Sequence, residues 1–147
     1  AGGVADGRGL AAALALGAEG VTVGTRFVAS QECVIHQNFK DAILGAKETD
    51  TLVCQRNIGN QARYLKNSAS LKALELDEAK AGLEETLAVV SGAISKECYV
   101  SGEIDKCVFT VSQAVGLIHD VPSVKEIIDG MIAEASSVVD RLNTIRG

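Results

Sequence analysis

The chain opens on Ala1-Gly2-Gly3-Val4-Ala5-Asp6-Gly7 and, one short helix later, reads Gly20-Val21-Thr22-Val23-Gly24-Thr25-Arg26-Phe27. Each run sets glycine at what reads as a strand end. Glycine lets backbone N–H groups turn toward an anion with no Cβ in the way, and a following helix brings the positive end of its dipole to the same point. The chemistry such a pair suits is the gripping of a phosphate, and a phosphorylated cofactor is the first expectation.

Other reactive side chains read as structural. His36 and His119 complete no metal-ligand spacing, and each reads as a surface or locally hydrogen-bonded imidazole. Cys33, Cys54, Cys98 and Cys107 are irregularly spaced without a CxxC, so they read as reduced thiols, most of them in or near the core. The acidic pairs Asp77-Glu78 and Glu84-Glu85 are adjacent on helical sequence and point about 100° apart, which suits solvated faces rather than a matched acid and base. Arg63 and Lys66, about one helical turn apart, suit either an anion or an ordinary basic edge.

The elements that must position the glycines are legible in part. Arg8 to Gly17 carries Leu10, Ala13, Leu14 and Gly17 on one helical face, and the glycines at 17 and 20 end it. Val21-Thr22-Val23, β-branched and bounded by glycine, predicts a short buried strand. In parallel barrels phosphate is held by the loops after the seventh and eighth strands with the N-terminus of a short extra helix. The order here fits: glycine turn, helix, strand, Gly24-Thr25, then a short helix through Phe27 and Val28.

Further along, 36–47 predicts helix, 51–54 a short strand or extended edge, 58–60 a turn, and both 62–76 and 78–96 helix. Ser123 stands three residues before Glu126 as a capping box, with Pro122 stiffening the approach. Beyond it Val124, Ile127, Ile128, Met131, Ile132, Ala135, Val138, Val139 and Leu142 keep one apolar face, which predicts a long amphipathic helix.

The 147 residues, 47% hydrophobic, suffice for a packed domain. A net charge of −5 and no basic stripe argue against nucleic acid. The longest apolar run, Leu10 to Leu16, falls short of the roughly 20 residues that cross a bilayer, and no basic-then-apolar leader is visible. A soluble, cytoplasmic protein with no membrane partner is expected.

Taken together, Ala1-Gly2-Gly3-Val4-Ala5-Asp6-Gly7-Arg8-Gly9, Leu16-Gly17-Ala18-Glu19-Gly20 and Val23-Gly24-Thr25-Arg26-Phe27 closely resemble the flavin-binding end of the nitronate monooxygenase family, once called 2-nitropropane dioxygenases, which includes flavin-dependent enoyl-acyl-carrier-protein reductases. The resemblance continues through Glu32-Cys33, His36 to Lys40, Asp50-Thr51 and Arg63 to Asn67, and resumes at Ser101-Gly102-Glu103 and Gln113 to Ile118. It is weakest between Ala69 and Val100.

The resemblance implies an α/β fold: the C-terminal portion of an FMN-binding TIM barrel followed by a mostly helical segment. Residues 1–30 would be the final βα units with their phosphate-binding loops, 31–121 a helical extension or insert, and 122–147 a terminal amphipathic helix packing on the barrel. Gly2, Gly3, Gly24 and Thr25 would hold the FMN phosphate, and Gln113 matches a glutamine near the flavin. Where the family has Gly-Ser and then Met-Ala-Gly before that glutamine, this chain has Cys107-Val108 and then Thr110-Val111-Ser112.

The family's catalytic histidine lies before the Ala-Gly-Gly strand, and neither His36 nor His119 aligns with it. The implied function is an FMN-dependent oxidoreductase acting on a small molecule or an acyl thioester, of which this segment carries cofactor-binding but no catalytic residues and would be inactive alone. Its implied partner is the N-terminal barrel portion or a second copy of the chain. The alternatives are a non-catalytic helical interaction domain derived from the family, or a phosphate-binding module for another ligand.

Overall fold

The ends of the helices are fixed by side chains that the sequence supplies in the right places. A computed structural model of the chain describes residues 1–145; Arg146 and Gly147, the last two residues of the segment expected over 122–147, lie outside the described residues. Asp6 caps α1 (Gly7–Ala15) by accepting the Gly9 N–H at 3.0 Å. Ser123 and Glu126 close the expected capping box on α7 (Val124–Thr144), and His36 caps α3 (Gln37–Gly45) through Nδ1, which accepts the Asn38 N–H. A short turn of helix, α2 (Thr25–Val28), follows Gly24.

α1 lies on α7, and Gly7 is what allows the close approach. A Cβ at this position would sit 2.4 Å from the Met131 carbonyl oxygen and 2.5 Å from the Ala135 nitrogen. The Gly7 N–H, an orphan donor at the helix start, instead reaches the Glu134 carboxylate at 2.7 Å. Of the apolar face expected on α7, Ile127, Met131 and Ala135 are buried, whereas Ile128, Ile132, Val139 and Leu142 are 43 to 56% exposed. A nine-residue helix covers one side of a stripe that is wider and longer than itself.

Two expectations give way in the middle of the chain. Residues 62–65 are not helix but strand β2 (Ala62–Leu65), antiparallel to β1 (Thr51–Cys54) in the register Thr51↔Leu65, Leu52↔Tyr64, Val53↔Arg63 and Cys54↔Ala62. The 107–111 segment runs along the other side of β2, where the Leu65 N–H meets the Phe109 carbonyl and the Val111 N–H meets the Arg63 carbonyl. Pairing on both sides overrides the helix propensity of Ala, Arg and Leu. Arg63 therefore does not share a helix face with Lys66; it bonds the Thr51 hydroxyl while Lys66 bonds the Thr49 carbonyl.

Helix begins at α4 (Ser68–Glu78), where Asn67 and Ser70 form a capping box. The single helix expected over 78–96 is two, α5 (Leu83–Val90) and α6 (Gly92–Ser101), separated from α4 by Lys80 at φ +54° and Gly82, and from each other at Ser91. The 31–121 stretch thus contains a β-hairpin as well as helices. Val21-Thr22-Val23 also departs from expectation. It is extended but unpaired, with Thr22 exposed, because the only strands among the described residues are β1 and β2, which pair with each other. A lone β-branched run is a strand only when another strand meets it.

One core gathers Phe39, Ile43, Leu65, Phe109, Val115 and Ile118, with Phe39 set edge-on to Phe109 and Tyr99 at centroid distances of 4.9 and 5.2 Å. A second packs Leu52, Cys54, Tyr64, Ala69, Ala73 and Val108 between the hairpin and α4.

The Gly7 contact gives a direct test. Gly7→Val must part α1 from α7 and should lower stability by about 2 to 3 kcal/mol in a urea melt. Gly20→Ala, where nothing lies within 4 Å of the new Cβ, should stay within about 0.5 kcal/mol of the parent.

Candidate functional site: a glycine cradle beside an apolar cleft

Gly2, Gly3, Gly24 and Thr25 line one cavity of about 360 Å³, together with Val4, Thr22 and the 110–112 segment. Gly2 and Gly3 stand at φ +88° and +75°, left-handed values that a side chain resists, and a Cβ at Gly2, Gly3 or Gly24 would project into open space. Among the described residues, no protein acceptor is matched to the N–H groups of Gly2, Gly3 or Gly24. All three glycines are exposed residues on the cavity wall.

Thr25 adds a hydroxyl whose role is set by its neighbour. The Ser112 N–H donates to Thr25 Oγ1 at 2.9 Å. An oxygen occupied as an acceptor still has its own proton to give. Ser112, absent from the expected site, lines the same cavity. Its one visible signal is its place as cap of the 3-10 turn Gln113–Leu117, where its Oγ accepts the Ala114 N–H. Gln113 itself is exposed at the start of that turn and does not line the cavity.

Charged side chains near the cradle in sequence are turned elsewhere. Arg26, 7% exposed, spans Asp120 Oδ1 at 2.8 Å, the Asp120 carbonyl at 2.7 Å and the Ala29 carbonyl at 2.8 Å. Burial pushes the Asp6 carboxyl up, but hydrogen bonds from Arg8 and the Gly9 N–H outweigh it and hold the group below its usual range. Neither residue lines the cavity. Lys40 is buried as well, with Nζ on the Ser30 carbonyl at 2.6 Å.

Val28 and Thr110 line this cavity and also a larger cleft of about 710 Å³, walled by Ile35, Val90, Tyr99, Val100, Val108 and Phe109. Thr110 faces Tyr64 across an isolated bridge. Beside it Gln55, 2% exposed and at φ +69°, donates from Nε2 to the Tyr64 hydroxyl at 2.6 Å and accepts from Asn60 Nδ2 at 3.0 Å. A buried non-glycine residue held at such a φ stores strain of the kind found at ligand sites. Burial raises the Tyr64 and Tyr99 hydroxyls above their usual values, so both are neutral at physiological pH. No helix of the described residues is long and apolar enough to cross a membrane.

Neither histidine takes part. His36 caps α3, and its imidazole is packed against Gly102, which turns beneath it at φ +82°. His119 is exposed.

The glycine turns line a cavity that adjoins an apolar cleft, an arrangement that suits a phosphorylated ligand. The family model described as nitronate monooxygenase matches residues 1–134, and the chain belongs to that family of oxidoreductases. It is 31% identical over 182 aligned positions to (3aS,4S,5R,7aS)-5-hydroxy-7a-methyl-1-oxo-octahydro-1H-indene-4-carboxyl-CoA dehydrogenase of Rhodococcus jostii, covering 99% of this chain and 52% of that protein. It is 47% identical over 78 residues to a probable nitronate monooxygenase of Staphylococcus saprophyticus, covering 53% of this chain and 22% of the relative. The structure of FabK from Thermotoga maritima superposes with a TM-score of 0.86 at 37% identity, over 98% of this chain and 45% of that one. The chain thus spans about half the length, or less, of these relatives.

The thiols separate by environment. Burial pushes Cys54 up to about 11, and burial with the neighbouring Cys98 sulfur pushes Cys107 up to about 12, so both stay protonated and unreactive at pH 8. Cys33, half-buried on the cleft wall, is the accessible one. Iodoacetamide at pH 8 should label Cys33 alone in the native protein and all four cysteines after denaturation, as read by peptide mass spectrometry; native labelling of Cys54 or Cys107 would contradict the packing described.

Proposed function

We propose that this chain is the phosphate-anchoring, C-terminal part of an FMN-dependent TIM-barrel oxidoreductase acting on a nitronate or an enoyl thioester. The observation that carries the reading is the convergence of Gly2, Gly3, Gly24 and Thr25 on one cavity, with no protein acceptor matched to the glycine N–H groups among the described residues. On this reading residues 1–30 are the final βα units, 31–121 the segment that builds the cleft, and 122–147 the helix that packs on the barrel. A flavin contact at Gln113 rests on the family likeness alone, since Gln113 does not line the cavity.

FMN, when bound, supplies hydride and electron transfer that side chains cannot. What the chain's own residues do is narrower. The glycine N–H groups and the Thr25 hydroxyl bind the phosphate, Ser112 orients that hydroxyl, and the apolar wall of the adjoining cleft excludes water from the substrate side. The carboxyl-CoA in the name of the Rhodococcus relative supports a thioester, and the name of the Staphylococcus relative supports a nitronate.

The groove between α1 and α7, lined by Leu10, Leu14, Ile132, Val139 and Leu142, supports the proposal of a partner. With the chain spanning about half of its relatives, that groove would be covered by the N-terminal barrel portion, or by a second copy of the chain in its place.

Flavin titration tests the cradle, using the protein with any partner that copurifies. FMN should bind at least about 100-fold more tightly than riboflavin, which lacks the phosphate. Thr25→Val should weaken FMN by about tenfold, as expected for one charge-assisted hydrogen bond, and Gly3→Val by more, with riboflavin binding unchanged in both. Equal affinity for FMN and riboflavin would remove the phosphate role of the cradle; failure to take up either would favour the non-catalytic interaction domain.

A further inference from the structure

Lys40 is a long polar side chain in a core position. On α3 it follows Phe39 and precedes Ile43 by three residues, both of them fully buried, and it is itself only 6% exposed. Among the described residues no carboxylate pairs with it. Taking a lysine out of water without an acid partner is costly, so what its nitrogen holds matters. It holds the Ser30 carbonyl, at 2.6 Å.

That carbonyl is one of a set. Where α2 ends, three carbonyls each receive a side-chain donor: Phe27 from Ser30 Oγ at 2.7 Å, Ala29 from Arg26 Nη2 at 2.8 Å, and Ser30 from Lys40 Nζ. Arg26 and Ser30 belong to the turn itself, so of the three donors only Lys40 comes from another element. At the other end of α2 the Gly24 carbonyl accepts the Phe27 and Val28 N–H groups at 2.9 and 3.2 Å, and Thr25 and Val28 line the glycine cavity. A helix of four residues spans only about 6 Å, so a shift at Ser30 is carried to Gly24 and Thr25 with little room to be absorbed.

We propose that Lys40 is a positioning residue of the phosphate cradle: through the Ser30 carbonyl it ties α2, and with it Gly24 and Thr25, to the core helix α3. The inference rests on the phosphate-anchoring reading above and deepens it. Thr25 and Arg26 fasten the turn to Ser112 and Asp120, and Lys40 fastens its far end to the helix that carries Phe39 and Ile43. Without that hold the Gly24-Thr25 wall shifts relative to Gly2 and Gly3, and an anion that needs both turns loses donors. A ligand without a phosphate makes no use of the alignment and is unaffected.

The experiment is titration of FMN and riboflavin into the parent and three variants, each with any partner that copurifies. Lys40→Met keeps an unbranched apolar stem and loses the donor; the FMN-to-riboflavin affinity ratio should fall about tenfold, through FMN alone. Ser30→Ala, which frees the Phe27 carbonyl, should lower the ratio in the same direction. Ile43→Val loosens the core under α3 without touching the turn, and should leave the ratio unchanged. A ratio unchanged in Lys40→Met, or lowered as far by Ile43→Val, would overturn the inference; if Lys40→Met does not fold, an unchanged ratio in Ser30→Ala overturns it instead. If the parent takes up neither flavin, the oxidoreductase reading fails and inorganic phosphate becomes the probe. A rise in melting temperature with about 10 mM phosphate that Lys40→Met, or Ser30→Ala in its place, loses then keeps the inference, whereas no rise in the parent, or an equal rise in the variant, overturns it.

Discussion

The site depends on two consecutive side chains, Thr25 and Arg26, that reach far along the chain. Residues 1–5 and 20–24 belong to neither strand of the structure, so no ladder of backbone hydrogen bonds fixes their position. Thr25 is joined to Ser112 and Arg26 to Asp120, 87 and 94 residues away in sequence. Those tethers bring the second glycine turn against the same 107–118 segment that runs beside β2 and walls the cleft. Cradle and cleft therefore share a frame: a change at 110–112 acts on the Thr25 hydroxyl and on the cleft wall together.

Arg26, the charged residue beside Thr25, is bonded to Asp120 and Ala29 and does not line the cavity. A cation in the cradle would bind any anion at long range, whereas neutral N–H donors act only within hydrogen-bond reach and only along their own directions. In a chain of net charge −5, general attraction for anions is absent at distances beyond the Debye length in any case. On the proposed reading, selectivity would be left to the geometry of Gly2, Gly3, Gly24 and Thr25. The arginine, buried with its hydrogen bonds directed to Asp120 and Ala29, serves to hold that geometry in place.

The sequence disclosed what is local. The capping box at Ser123 and the glycine stop after α1 set helix ends within a few residues, and Gly2 and Gly3 are visible because a positive φ leaves a compositional trace. What it did not disclose is set by partners distant in sequence. Ala62 to Leu65 reads as helix until β1 and the 107–111 segment flank it, and Val21-Thr22-Val23 reads as strand although no described neighbour pairs with it. Ser112 joins the cradle only through a bond to a residue at the other end of the chain. The cleft is the extreme case, since its walls come from five stretches whose residues are individually ordinary core and surface types.

The first glycine turn is held from its other side by a different device. α1 starts one turn after Gly3, and its place is set by the backbone-to-backbone approach at Gly7 and by the Gly7 N–H on Glu134. Because Asp6 caps the same helix, the chain between Gly3 and Gly7 has little freedom to move once α1 is seated on α7. The second turn is seated by Ser112 and Asp120, the first by α7, and the two seats are built from separate parts of the C-terminal half. An anion bridging both turns would therefore link α7 to the 110–120 segment through its own hydrogen bonds, and its binding would brace the fold as well as fill the cavity.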